Sequence, residues 1–220
     1  MGSGERSSAR RYSPKDLNIY VIDCSSRILK SLEVLPHVGG TAAASEQEKI
    51  ESLFRMLKRE LELRKSVLET AHTATLAEAR HKGLTELPEI VLVIDQLAAL
   101  KELYFQDRED LRSLCNEGLS AGIHVVAASP QASALGYRYL SLFGERIALF
   151  CSDSGEYRYL FERIREFPEE VPGRCILEQG GTLYQCQIYR IQEDDFRPLS
   201  DVMFLARPIP MIPELLTESG

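Results

Sequence analysis

No stretch of this 220-residue chain approaches the roughly 20 consecutive apolar residues that span a bilayer, and no signal-peptide pattern opens it. The chain as it stands reads as soluble. Paired cysteines are also missing. Cys24, Cys115, Cys151, Cys175 and Cys186 are odd in number, and no two have C-x-x-C spacing. They read as reduced core or near-core residues of a cytosolic protein. His37, His72, His81 and His124 form no H-x-x-x-H pair, so the chain offers no zinc ligand set and no metal site is expected. Positive charge is scarce: the net charge of −7 argues against a surface built to neutralise phosphates, although a local basic patch stays open. Finally, no G-x-x-x-x-G-K-(S/T) string occurs, so the usual backbone cradle and lysine for nucleotide phosphates are absent from these 220 residues. Gly2-Ser3-Gly4-Glu5 is the nearest approach, and it puts an acid where the lysine belongs.

What is present starts with Ile90-Val91-Leu92-Val93-Ile94-Asp95-Gln96. Five apolar residues, mostly β-branched, run unalternated into an acid. Such a run reads as a strand buried on both faces, which implies a parallel sheet. Open α/β sheets bind ligands at the carboxyl ends of their strands, where Asp95 would stand. In P-loop NTPases that acid holds the magnesium. Many buried strands that bind nothing also end in an acid, and there Asp95 would simply cap the next helix.

The remaining chain alternates strand-like and helix-like segments. Leu17 to Asp23 is a second buried strand ending in an acid. Ser25 to Leu35 is a short helical or irregular crossover, after which Pro36-His37-Val38-Gly39-Gly40 breaks the chain. Ser45 and Glu48 form a capping-box pattern. Ile50, Leu53, Phe54, Leu57, Leu61 and Leu68 then recur at helical spacing to about Ala71, with a charged face that reads as solvated. Thr70 to Lys82 reads as a second helix or an extension of the first. Helices follow at Leu97 to Leu103, Asp107 to Ala121, Leu140 to Phe143 and Ser154 to Arg165. Strands follow at Val125 to Ala128 and Arg146 to Phe150. Cys175 to Leu177 and Tyr184 to Ile191 pair around Gln179-Gly180-Gly181 as a terminal β-hairpin. The order predicts an α/β fold with a doubly wound, mainly parallel sheet holding the apolar runs near 20, 92, 126 and 148. Residues 1–11 read as a leader or linker, 12–192 as one domain, and 193–220 as a Pro-rich arm or interdomain linker. Ile209, Met211, Ile212 and Leu215 make that arm too apolar for a free tail, so it is expected to dock on a partner surface.

Several segments in order resemble the FtsK/SpoIIIE family of translocation ATPases, and the type VII secretion ATPases of the EssC/EccC type among them. They are the stretch from Tyr12 to Asp23, Leu35-Pro36-His37-Val38-Gly39-Gly40, Arg59-Glu60-Leu61 with Arg64, and the Asp95 strand. They continue with Gly122-Ile123-His124, Gly144-Glu145-Arg146-Ile147, Pro172-Gly173-Arg174 and Pro208-Ile209-Pro210-Met211-Ile212-Pro213. The resemblance implies a RecA-like P-loop NTPase fold, degenerate or truncated, in which Asp95 is the Walker B acid and Ser129 and Gln131 stand where a nucleotide sensor would be. It makes Arg146 a candidate arginine finger or interdomain contact; a surface arginine paired with a nearby acid is the other reading. It implies ATP and magnesium as cofactors of the family. It also implies a membrane-anchored cytoplasmic parent, neighbouring ATPase domains and small helical secreted proteins as partners, and a hexameric assembly.

The departures are as specific. The position after Asp95, where the family carries a catalytic acid, is Gln96, and an amide cannot take a proton from water. Ser129-Pro130-Gln131 stands in place of Thr-Gln-Arg. These differences, with the missing phosphate loop, lead to the expectation of a degenerate ATPase-like domain that binds no cofactor itself and acts in substrate recognition or assembly. The alternative is an active translocating motor whose phosphate loop lies outside this chain. Direct nucleic-acid binding is not expected, because basic and aromatic residues do not interleave.

Overall fold

The computed structural model describes residues 12–25, 28–104 and 109–188. The expected leader and the Pro-rich arm, with Ile209, Met211, Ile212 and Leu215, lie outside them. The described residues up to Ala128 make one compact unit, and those from Ser129 onward make a second.

In the first unit, β1 (Leu17–Asp23), β2 (Val38–Ala43), β3 (Glu89–Asp95) and β4 (Ile123–Ala127) form a parallel sheet in the order β2-β1-β3-β4. Every residue of the central strand β1 is buried, as its mostly apolar sequence requires, with Asn18 and Asp23 its polar members. Side chains alternate between the faces. Leu17, Ile19 and Val21 pack with Val93 against Leu29 and Leu32 of a 3₁₀ segment, Ile28–Val34, and against Leu35 just after it. On the opposite face Tyr20 and Ile22 are wholly buried.

The long helix α1 (Gln47–Ala71) buries Ile50, Leu53, Phe54, Leu57, Leu61 and Leu68, the stripe its sequence spacing predicts. It ends where His72 turns left-handed (φ 50°) and Thr73 N–H reaches back 3.1 Å to the Leu68 carbonyl. Shorter helices follow: α2 (Leu76–His81), α3 (Leu97–Tyr104) and α4 (Glu109–Glu117). α1 packs on α2 and α4. Its charged face reaches α4 through Lys58–Asp110 (3.6 Å) and Lys65–Glu117 (2.8 Å).

In the second unit, α5 (Tyr137–Leu140), β5 (Arg146–Leu149), α6 (Ser154–Leu160), β6 (Arg174–Gln179) and β7 (Thr182–Gln187) follow in sequence. The strands form an antiparallel sheet in the order β5-β6-β7. Gly180 and Gly181 both have positive φ (59° and 77°), the conformation a two-residue type I′ hairpin needs. Tyr157, Phe161 and Ile176 form its small core.

The α/β class, the mainly parallel sheet and the terminal hairpin agree with the sequence reading. Three local expectations do not. Val38, Gly39 and Gly40, read as part of a chain break from Pro36, open the edge strand β2 paired with β1. The Ser45–Glu48 capping box does not form. Instead Glu46 precedes the helix, and its carboxylate accepts the Ala43 N–H at 2.9 Å. The apolar run near 148 does not join the parallel sheet but pairs with the hairpin.

Candidate functional site

Parallel pairing in register sets Asp23 of β1 beside Asp95 of β3 at the carboxyl edge of the sheet. The two acids are held unequally. Asp23 is buried, and its Oδ1 accepts the Ser25 N–H and hydroxyl, both at 3.0 Å. Its Oδ2 accepts the Leu29 N–H at 3.0 Å, which starts the 3₁₀ segment. Asp23 is therefore spent on organising the turn after β1. Asp95 is half-buried, and its Oδ2 is met by the Ser25 hydroxyl in a short hydrogen bond. A hydroxyl carries one proton, so Ser25 serves one carboxylate at a time. Between these acids Cys24 is no nucleophile. Burial first, then the charges of Asp23 and Asp95, push its thiol up to about 11, so it stays protonated at neutral pH.

Gln96 follows Asp95 with φ 55°, a left-handed conformation uncommon outside glycine. The conformation turns the chain from strand to helix. The Gln96 carbonyl accepts the Leu100 N–H at 3.2 Å, and the Leu97 N–H donates to Ala128 at 2.8 Å beyond the end of β4. Gln96 thus sits at the strand-to-helix corner and presents an amide, which cannot take up a proton as a carboxylate can.

The other candidates belong to the second unit. The Ser129 hydroxyl donates to the Gln131 carbonyl at 2.8 Å, closing a tight turn after β4. Arg146 starts β5 and is clamped inside its own unit. One guanidinium nitrogen donates to the Leu160 carbonyl at 3.1 Å and lies 3.4 Å from the Glu178 carboxylate, and the other reaches the Leu140 carbonyl at 3.4 Å. The guanidinium so joins α5, α6 and β6.

Sequence reasoning passed over an ionic cluster at the opposite, amino-terminal edge of the parallel sheet. Arg64 of α1 has no exposed surface, yet one Nη donates to the Ala121 carbonyl at 3.0 Å, and Nε lies 3.3 Å from Glu60. Glu89, at the start of β3, binds His124 of β4 at 3.0 Å, and Arg80 binds Asp16 at 2.8 Å. The His124 hydrogen bond is the main cause holding the Glu89 carboxyl below its usual range. The signal was there: Arg64 falls on the Leu57, Leu61, Leu68 stripe, so the helix has to bury it. The Gly122 that opens β4 has φ +71°, and a Cβ there would lie 2.6 Å from Glu89 Oε2. His37 is buried too. Its Nε2–H donates to the Tyr12 carbonyl at 2.7 Å, which leaves Nδ1 without a partner, and burial lowers its pKa. No trio of His, Cys, Asp or Glu among the described residues is grouped to hold a metal ion.

The chain is 25% identical to the ESX secretion system protein YukB of Bacillus subtilis (strain 168) over 94% of its own length, and covers 15% of that protein. It is 27% identical to the ESX-1 secretion system protein EccCb1 of Mycolicibacterium smegmatis over 77% of its length, and covers 30% of it. The chain so spans less than a third of either relative. Among solved structures, EssC (ATPases 2 and 3) from Geobacillus thermodenitrificans superposes with a TM-score of 0.83 at 24% identity, covering 96% of this chain and 43% of that one. Thermomonospora curvata EccC (ATPases 2 and 3), in complex with a signal sequence peptide, gives 0.78 at 20% identity, with 96% and 41% covered. These likenesses establish the fold. The FtsK/SpoIIIE family profile matches residues 6–174, from before β1 to the start of β6 and across the Asp95 strand, and the chain therefore belongs to the FtsK/SpoIIIE family.

Proposed function

We propose that this chain is a non-hydrolysing ATPase-like module of a membrane-anchored type VII secretion ATPase, working in the recognition of secreted protein and in assembly with neighbouring ATPase domains. The observation that carries the reading is Gln96. It occupies the corner after the Walker B-like strand, where hydrolysis needs a carboxylate to take the proton of the attacking water. One further feature supports it: the Ser25 hydroxyl, which also reaches Asp23, lies against Asp95 Oδ2. Recognition is favoured by kinship: EccC of Thermomonospora curvata, whose fold this chain shares, was solved with a signal sequence peptide. Arg146, with its guanidinium bound to two carbonyls and Glu178, acts in this reading as a clamp within its unit.

The retained Asp95 favours a second reading, a working motor that receives its phosphate loop from residues outside this chain. Phosphate release by the longest available protein containing this chain separates the two. The first reading predicts that Asp95→Asn leaves turnover at this module unchanged and that Gln96→Glu does not raise it. A tenfold loss on Asp95→Asn supports the motor.

A further inference from the structure

Cys175 of β6 and Cys186 of β7 stand directly opposite each other in the antiparallel hairpin. Both are free thiols. Their side chains share one face of the sheet, the face opposite Ile176 and Leu183, so a change at the pair leaves the small core of the second unit untouched. Cys175 Sγ lies 3.6 Å from the Cys186 carbonyl oxygen, which places the thiol over the facing residue. The Ile188 N–H donates to the Gly173 carbonyl at 2.8 Å, and two residues on this makes Cys175 and Cys186 a hydrogen-bonded pair as well. Such pairs have Cα atoms about 5.5 Å apart, inside the roughly 4.4–6.8 Å range of disulfides. Their Cβ atoms start farther apart than a relaxed disulfide allows, so the bond would be strained and readily reduced.

We propose that Cys175 and Cys186 are a reversible oxidation site, closing to a disulfide across the hairpin when the protein meets a hydroperoxide. Cys186 is the attacking thiol. It lies on β7, an edge strand of its sheet, and is partly exposed, whereas Cys175 is 2% exposed. Burial also holds the Cys175 thiol above its usual range, so less of it is thiolate. The Cys186 thiolate attacks a peroxide oxygen, the O–O bond breaks, and a sulfenic acid forms as the leaving oxygen departs as water or alcohol. The Cys175 sulfur then attacks the sulfenic sulfur, and a second water leaves. Two thiols give up two electrons and the peroxide accepts them. Cys151 is no competitor in the same unit, because it packs against the core on the other face.

The test uses the reduced intact chain, hydrogen peroxide as the oxidant, alkylation and tryptic mapping. Peptide 175–190 contains both cysteines and no internal Lys or Arg. Loss of two hydrogens from that peptide, with two of the five thiols lost to alkylation together and both restored by dithiothreitol, is the expected result. Cys186→Ser should abolish the mass loss, and Cys151→Ser should leave it intact. Circular dichroism before and after oxidation shows whether the chain stays folded. Sulfinic acid on either cysteine without the bond, or two thiols still open to alkylation after peroxide in the folded chain, overturns the proposal.

Discussion

Arg64 is the residue whose removal should hurt most. Its charge has no exposure; its bond to the Ala121 carbonyl ties α1 to the turn before β4, and Glu60, one turn earlier on the same helix, balances its charge. Arg64→Ala deletes that tie and leaves both a void and a half-buried Glu60, so urea unfolding should show a loss of about 3–5 kcal/mol. Arg64→Met fills the space but also strands the Ala121 carbonyl and Glu60, so it should cost nearly as much; recovery of most of the loss by Met would refute the electrostatic account. Titration adds a second residue-scale expectation. The folded His37 pKa is lowered by burial, so the unfolded chain takes up a proton first as pH falls below about 6.5. Stability at this site is complete above that pH and is lost as pH falls toward the folded value. Glu89, also lowered, contributes stability above its unfolded value near 4.5 that disappears as pH falls further. Urea midpoints measured from pH 8 to 3 should therefore fall in two stages. His37→Gln, which keeps the donor to Tyr12, should remove the first stage only.

At the scale of elements, α1, β1 and β3 were legible in the sequence because each is defined by its own burial pattern. The stripe from Ile50 to Leu68, the run from Ile19 to Ile22 in β1 and the run from Ile90 to Ile94 in β3 carry their signal locally. β2 was not legible. Val-Gly-Gly-Thr-Ala-Ala has weak strand propensity, and pairing with β1 supplies what propensity lacks. The start of α1 was misread because Glu46, not Ser45, satisfies the turn, a choice made by where the Ala43 N–H lands after β2. The Asp23–Asp95 adjacency depends on strand register, which no local pattern encodes, whereas Asp95 itself could be read from its strand. Local capping still matters where it occurs. Thr75 accepts the Glu78 N–H at 3.2 Å at the start of α2, so Thr75→Ala should cost about 1 kcal/mol. In the middle of α1, Leu57→Ala should cost about 2–5 kcal/mol, since Leu57 is fully buried. Both are read from chemical denaturation, and a Thr75→Ala loss as large as that at Leu57 would contradict the packing account.

For the molecule as a whole, stabilising charge and candidate chemistry occupy opposite edges of one parallel sheet. The Arg64, Glu89 and His124 cluster ties the amino-terminal edge, while Asp23, Ser25, Asp95 and Gln96 stand at the carboxyl edge, where α/β sheets place their ligands. The β3 strand ends in Asp95 with an amide, Gln96, beside it, and no phosphate-cradling string occurs within these 220 residues. Asp95 alone would hold magnesium weakly, because that ion is normally shared with nucleotide phosphates. The most direct measurement is titration calorimetry of the chain with ATP and magnesium. The account predicts no measurable heat of binding up to about millimolar nucleotide, with Asp95→Asn giving the same flat trace. Saturable binding at micromolar affinity, lost on Asp95→Asn, would contradict it.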